Sequence, residues 1–386
     1  MQLHSFQSSP PRPVNSASAG TSNLRNVKTK SYWTGFACLT LGLAILPQAS
    51  AQFTPIRGTF NGLMFENNGL WEQSSGFISI QTTPRGTYTG LLRVGVGRYP
   101  FSGRFDQNGY ATRDILRYRQ YPLALHFQSD PADPDLITGT VSDGIWTADL
   151  IADRLVFDGK ASVSPDAGRY TLLFPGNFAA SDAPGGDSFG TITINKSGQL
   201  AFYGSMADGR KFTQSSTVSK GGQWPLYAPL YGGEGSIYSW MLFNDPSGED
   251  VSGDVTWIRP AVSSAWYYPG GFAINVYSWG SRYTPPPAGT PLINLSAGQI
   301  EFNGGNLIRG ITNSFSLDAR NRVTNYSANG LRLKFLTSNG SFSGEVKDPI
   351  TWQWTPFRGV VLQRYALGAG YFLGWDESGE VWIQAD

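Results

Sequence analysis

Apolar and polar side chains alternate with a period of two over short runs along most of this chain, the mark of strands with one face in a core. One five-residue version, apolar, Ser or Thr, Gly, any residue, apolar, recurs four times. It is found as Phe101-Ser102-Gly103-Arg104-Phe105, Ile137-Thr138-Gly139-Thr140-Val141, Val251-Ser252-Gly253-Asp254-Val255 and Phe342-Ser343-Gly344-Glu345-Val346. Alternation places both apolar residues and the glycine on one face, so each strand has a bare notch on its core side where a neighbouring ring can lie over the backbone. Asn108-Gly109, Asp143-Gly144, Asp208-Gly209 and Asn339-Gly340 punctuate the runs. Such pairs supply the positive φ of tight hairpins and predict two-residue turns.

Larger repeats enclose these units. Arg57 to Leu63 reads RGTFNGL and Arg85 to Leu91 reads RGTYTGL, with a looser echo from Gly168 to Leu173; Tyr121-Pro122-Leu123 has a counterpart in Trp224-Pro225-Leu226. Repetition of this kind implies a duplicated β-meander. No 3.6-residue periodicity is sustained after residue 51. The expected fold is therefore all-β: tandem antiparallel meander domains, barrel-like or sandwich. Residues 52–163 form the first expected domain and 164–386 the second, with Ser164 to Gly168 read as a linker. The proline run Pro285-Pro286-Pro287 cannot sit in a central strand and marks a possible sub-boundary near 283–290. The strands beyond it are expected to complete the second domain.

Residues 1–51 read as a signal peptide and leader. Arg12, Arg25, Lys28 and Lys30 precede an apolar run from Tyr32 to Leu46, and Ala49-Ser50-Ala51 offers a small-residue cleavage site. Removing that leader removes Cys38, the single cysteine, so disulfides and thiolate metal sites have no part in the exported chain. It also removes four of the 29 basic residues and none of the 28 acidic ones, leaving a formal charge of −3. That charge excludes nucleic acid as the expected partner, because phosphate binding needs a clustered positive face. No later run is long or apolar enough for a transmembrane helix. The expected location is exported: extracellular, cell surface or periplasmic.

The succession R-G-T-[FY]-x-G-L, F-S-G-x-F, Asn-Gly, [YW]-P-L, [IV]-[ST]-G-x-V and the closing Gly370 to Gly374 (GYFLG) resembles a β-repeat region of secreted, mostly uncharacterised bacterial proteins. The resemblance covers nearly the whole exported sequence and implies export and an all-β fold, with no activity and no site residues. A fainter similarity, carried by F-x-G strands, is to the barrel lobes of bacterial surface iron-acquisition lipoproteins.

Chemistry is sparse. His126, the one histidine after the leader, alternates onto the face opposite Leu125 and Phe127 and is expected on a strand surface; a Ser-His-Asp triad or a two-histidine zinc site would have to be built around this single residue, which argues against both. Carboxylates are numerous, yet most sit in turns, and none forms an evident acid and nucleophile pair for glycoside hydrolysis. Asp130, Asp133 and Asp135 gather three carboxylates in one short loop and are the candidate calcium ligands, with Asp182 and Asp187 a second, weaker grouping. No other cofactor is expected. Trp257, Trp266, Tyr267, Tyr268, Tyr277 and Trp279 crowd a stretch broken by Pro260, Pro269, Gly270 and Gly271. Rings on loop-like backbone stack on sugars or line an apolar mouth, and otherwise plug a barrel end, so Trp257, Trp266, Tyr267, Tyr268 and Trp279 are the candidate ligand-binding residues. Trp352 and Trp354 are expected to point the same way from one strand.

The functional expectation is an exported non-catalytic β-domain protein serving surface or matrix interaction or adhesion, with a polysaccharide or a surface protein as partner. The alternative is a carbohydrate- or small-ligand-binding module. A carboxylate glycosidase and an outer-membrane barrel rank below both, the latter because its strands need about 9–11 residues.

Overall fold

The computed structural model describes residues 53–130, 132–177, 182–293 and 297–385; the signal-peptide reading falls on residues outside these. They form three eight-stranded antiparallel sheets. In the first, the strands in chain order are Gly58–Phe65, Gly76–Thr82, Thr87–Val94, Gly97–Arg104, Tyr110–Arg117, Gln120–Ser129, Leu136–Ser142 and Thr147–Arg154. Sequence neighbours pair, and the last strand returns to the first with Phe60 opposite Arg154, so the sheet curls into a barrel. One rung is missing, between the fourth and fifth strands.

The second sheet runs from Gly168–Phe174 to Phe272–Tyr283 and closes with Leu173 opposite Trp279; its seam lies between Lys211–Thr217 and Gln223–Leu230. The third runs from Gly298–Gly304 to Ser378–Ala385 and closes with Ile300 opposite Ile383; its seam lies between Val323–Asn325 and Leu331–Leu336. The stretch 164–386, read in sequence as one meander with closing strands, thus carries two sheets. The proline-rich connector after Tyr283 separates them. Helix among the described residues is limited to the single 3-10 turns Glu72–Ser74, Tyr231–Gly233 and Gln363–Tyr365.

Each barrel interior is filled by the inward residues of its strands, including Phe60, Ile78 and Phe127 in the first, Trp224, Phe202 and Val255 in the second, and Phe302, Phe357 and Ile383 in the third. The notches face the side that alternation demands, with two kinds of filling, though Gly103, on the open edge of the first sheet, stays exposed and the other three are half-buried. An added Cβ at Gly103 meets the Tyr88 ring and one at Gly344 meets the Phe357 ring. Across those same strand pairs Gly90 lies under Phe101 and Gly359 under Phe342, so ring and glycine exchange places on adjacent rungs. Gly139 is covered instead by the backbone and Cβ of Phe127, and Gly253 by the Met241 sulfur and the Ser239 hydroxyl.

The Asx-Gly turns are longer than two residues. Asp143-Gly144, Asp208-Gly209 and Asn339-Gly340 lie in connections of residues 143–146, 206–210 and 337–340 between paired strands. The glycines take φ of 87°, 89° and 78° and the Asx side chains accept backbone N–H groups two residues on. Asn108-Gly109 differs: it joins the two strands at the first seam, which do not pair.

Side-chain amides stitch the other seams. Gln214, buried inside the second barrel, donates to the carbonyl of Pro225 at 2.8 Å and accepts from the Trp224 indole at 3.2 Å. Pro225 and Pro229 lack ladder donors, which suits them to a strand on an open edge. In the third barrel Asn329 donates to Asn313 Oδ1 at 2.8 Å, and Asn313 donates to Asn325 Oδ1 at 3.1 Å.

The Ser164 to Gly168 segment is packed, contrary to its reading as a linker. Ser164 and Asp166 are buried, Asn244 donates to the Asp166 carboxylate and Tyr170 to the Asp166 carbonyl. Between the first two sheets Leu63, Phe77, Tyr227 and Tyr238 form an apolar cluster, and between the second and third Leu173, Phe189, Val360 and Tyr371 form another.

Candidate functional site

The strand Val251–Arg259 leads into a loop that returns at Phe272, and this loop holds Trp266, Tyr267 and Tyr268. Its root is a buried ion pair. Asp208 accepts from Arg259 and, at 2.7 Å, from Tyr231, and Arg259 also donates to the Tyr267 carbonyl. Burial and the adjacent Asp208 push the Tyr231 hydroxyl far up. Removing one member of a pair this deep leaves an uncompensated charge, typically about 3–5 kcal/mol.

From that root the loop reaches across to the turn between Leu367–Leu373 and Ser378–Ala385 of the third sheet. Buried Tyr268 accepts the Ser378 N–H at 2.8 Å, the Tyr267 hydroxyl donates to the Gly374 carbonyl at 2.8 Å, and the Trp266 indole donates to the Trp375 carbonyl. The turn is pinned from its far side by Asn306, whose Oδ1 accepts from Trp375 N–H at 2.8 Å. Asn306 also donates from its side chain to Asp376 and from its backbone to Glu377.

Two indoles therefore stand edge to face, centroids 4.9 Å apart at 67°. Trp266 is 59% exposed and Trp375 70% exposed. Beside them is a cleft of about 470 Å³ lined by Trp266, Tyr268, Gly270, Asp182, Asp376 and Glu377. Such a site offers ring faces to apolar C–H groups and carboxylate oxygens to hydroxyl donors.

The remaining aromatic candidates lie elsewhere. Trp257 is buried in the second barrel, its indole donating to Tyr231 at 3.0 Å. Trp279 faces outward from that barrel and packs at 4.8 Å against Tyr365 beside the cluster between the second and third sheets. Tyr277 is exposed. Trp375 was not singled out from the sequence; its only local signal is a large ring directly after Gly374 in a turn. Trp352 precedes its expected strand, which begins at Trp354, and lies in the turn with φ 61°. It stacks on Lys347, while Trp354 stacks on Arg332.

The three candidate calcium ligands serve their loop. Asp130 accepts the N–H of Ala132, Asp133 that of Asp135, and Asp135 pairs with Arg154. No group of three or more metal-ligating side chains is assembled among the described residues. Burial, reinforced by Asp133, pushes the Asp153 carboxyl up to about 6. Asp187 is buried beside the second sheet and accepts the Gly176 N–H at 2.9 Å. His126 is exposed, 3.3 Å from the Thr112 hydroxyl.

No family model and no curated protein matches the chain. Among solved structures it is similar to transferrin binding protein B of Haemophilus parasuis, with 10% identity, TM-score 0.21 and coverage of 85% of this chain and 75% of the other. Isotype 1 transferrin binding protein B from serogroup B Neisseria meningitidis gives 10% identity, TM-score 0.20 and coverage of 86% and 77%. An endo-1,5-alpha-L-arabinanase from Thermotoga petrophila gives 9%, 0.22, 84% and 82%. Similarity at this level transfers neither ligand nor substrate.

Proposed function

We propose that this is an exported, non-catalytic binding protein that attaches to glycan chains of a cell surface or matrix, with Trp266 and Trp375 as its stacking platform. The observation that supports this reading is a pair of exposed indoles held in place by at least four hydrogen bonds, next to a cleft edged with carboxylates. Fixed rings lose little freedom on meeting a sugar face, which is what makes aromatic platforms effective. Asp376 and Glu377 are both engaged by Asn306, which suits them to accept hydroxyl hydrogen bonds in a fixed geometry. Export rests on the leader. The barrels carry apolar side chains inside, the inverse of a spanning barrel with its polar lumen and apolar outer band.

Retention of the full chain on immobilised cellulose, chitin and xylan tests the proposal. Retention by at least one polysaccharide, lost in both Trp266→Ala and Trp375→Ala, is expected. Retention unchanged in both variants, or none by the parent on any of the three, refutes it. Incubation with chromogenic glycosides is expected to give no turnover, and turnover that vanishes on replacing a single carboxylate overturns the non-catalytic part.

A further inference from the structure

A second cleft, of about 700 Å³, lies between the outer faces of the first and second sheets, within the size range of small-ligand sites. Ser79, Gln81, Thr89 and Arg93 line it from the first sheet, Gln199 and Ser215 from the second, where the Asn195 amide is taken up by its own turn and donates to Gln199. A hydrogen bond of 2.8 Å from Asn61 to Thr217 ties the two walls together. Among the described residues no carboxylate lines this cleft.

Arg93 is anomalous there. Its guanidinium lies 5.6 Å from the centroid of Phe77, and its Nε is buried without a partner. Among the described residues no carboxylate pairs with it. Its cross-strand partner is Arg98, and like charges directly opposite one another destabilise a sheet. Burial first, then the Arg98 charge, lowers the affinity of Arg93 for its proton. A partly desolvated cation facing a second cation is costly unless an anion joins it. The planar guanidinium fork matches a carboxylate in two-point contact, and amides with hydroxyls on both walls match the donors and acceptors of a sugar ring.

We propose that this cleft binds a sugar acid, its carboxylate held by Arg93 and its hydroxyls by the amides and hydroxyls of the two facing sheets. The site is separate from the indole platform and takes a different ligand.

Isothermal titration of the full chain with trigalacturonate, neutral galactotriose and inorganic phosphate tests it. Trigalacturonate is expected to bind more tightly than either comparison probe and to weaken with rising salt. Arg93→Gln is expected to weaken it at least tenfold without lowering the melting temperature, and Ser215→Ala, on the facing wall, severalfold with an unchanged melting temperature; Trp266→Ala leaves it unaltered. No binding by the parent, or equal binding by Arg93→Gln, overturns the site. Phosphate binding as tightly as trigalacturonate overturns the sugar-acid assignment. Loss on Trp266→Ala with retention in Arg93→Gln places the ligand on the indole platform and likewise overturns it.

Discussion

Asp187→Asn isolates the cost of one buried carboxylate. Asp187 lies 4% exposed, one oxygen accepting from Gly176 N–H and the other buried without a partner among the described residues. Burial first pushes its carboxyl up to about 7, with the charge of Glu380 adding to the rise. The unfolded chain ionises this group from its ordinary value of 3.8 upward, whereas the folded chain resists until about 7, so stability is lost as pH rises through that window. A rise from 3.8 to about 7 corresponds to roughly 4 kcal/mol once both states are ionised. Asparagine keeps the acceptor for Gly176 and never ionises. Denaturant unfolding of parent and Asp187→Asn at pH 4, 5.5, 7 and 8.5 is the assay. The variant is expected to match the parent within about 1 kcal/mol at pH 4 and to exceed it by up to about 4 kcal/mol at pH 8.5. Asp153, Asp166 and other shifted groups titrate in both proteins and cancel in the difference. A gap that is the same at all four pH values refutes the reasoning.

Two further predictions concern packing. In Gly344→Ala the added Cβ would stand 2.0 Å from the Arg332 carbonyl and 2.6 Å from the Phe357 ring, so a loss of about 1–3 kcal/mol in chemical denaturation is expected; a neutral result removes the notch argument. Gln214→Leu is expected to cost about 1–3 kcal/mol in the same assay by orphaning the Trp224 N–H inside the second barrel, and unaltered stability would show that the seam does not depend on that amide.

Much of this architecture is written in local pattern. Phe101, Gly103 and Phe105 share a face in the sequence, and the Tyr88 ring covers the gap they leave. The seams are less visible, because Asn108-Gly109 is an ordinary hairpin signal whose flanking strands happen not to pair. The third sheet was obscured by its short strand Val323–Asn325 and its asparagine-rich seam, neither of which alternates clearly. At the indole site, the sequence offered Trp266 but not Trp375, since contact between residues so far apart depends on how one barrel rests against the next. Trp257 was decipherable in hindsight of its neighbours: two residues from Val255, it had to share the inward face.

Because the first and last strands of each barrel are neighbours, the polypeptide arrives and departs at nearly the same spot, leaving the seam well away from both junctions. A barrel joined head to tail and reopened at that gap, for instance between Phe105 and Tyr110, keeps every rung it already has. Rearranged genes of that kind are therefore expected to yield folded protein, and adding or dropping a barrel in such a string demands a new apolar patch to rest on, with no rethreading of the chain.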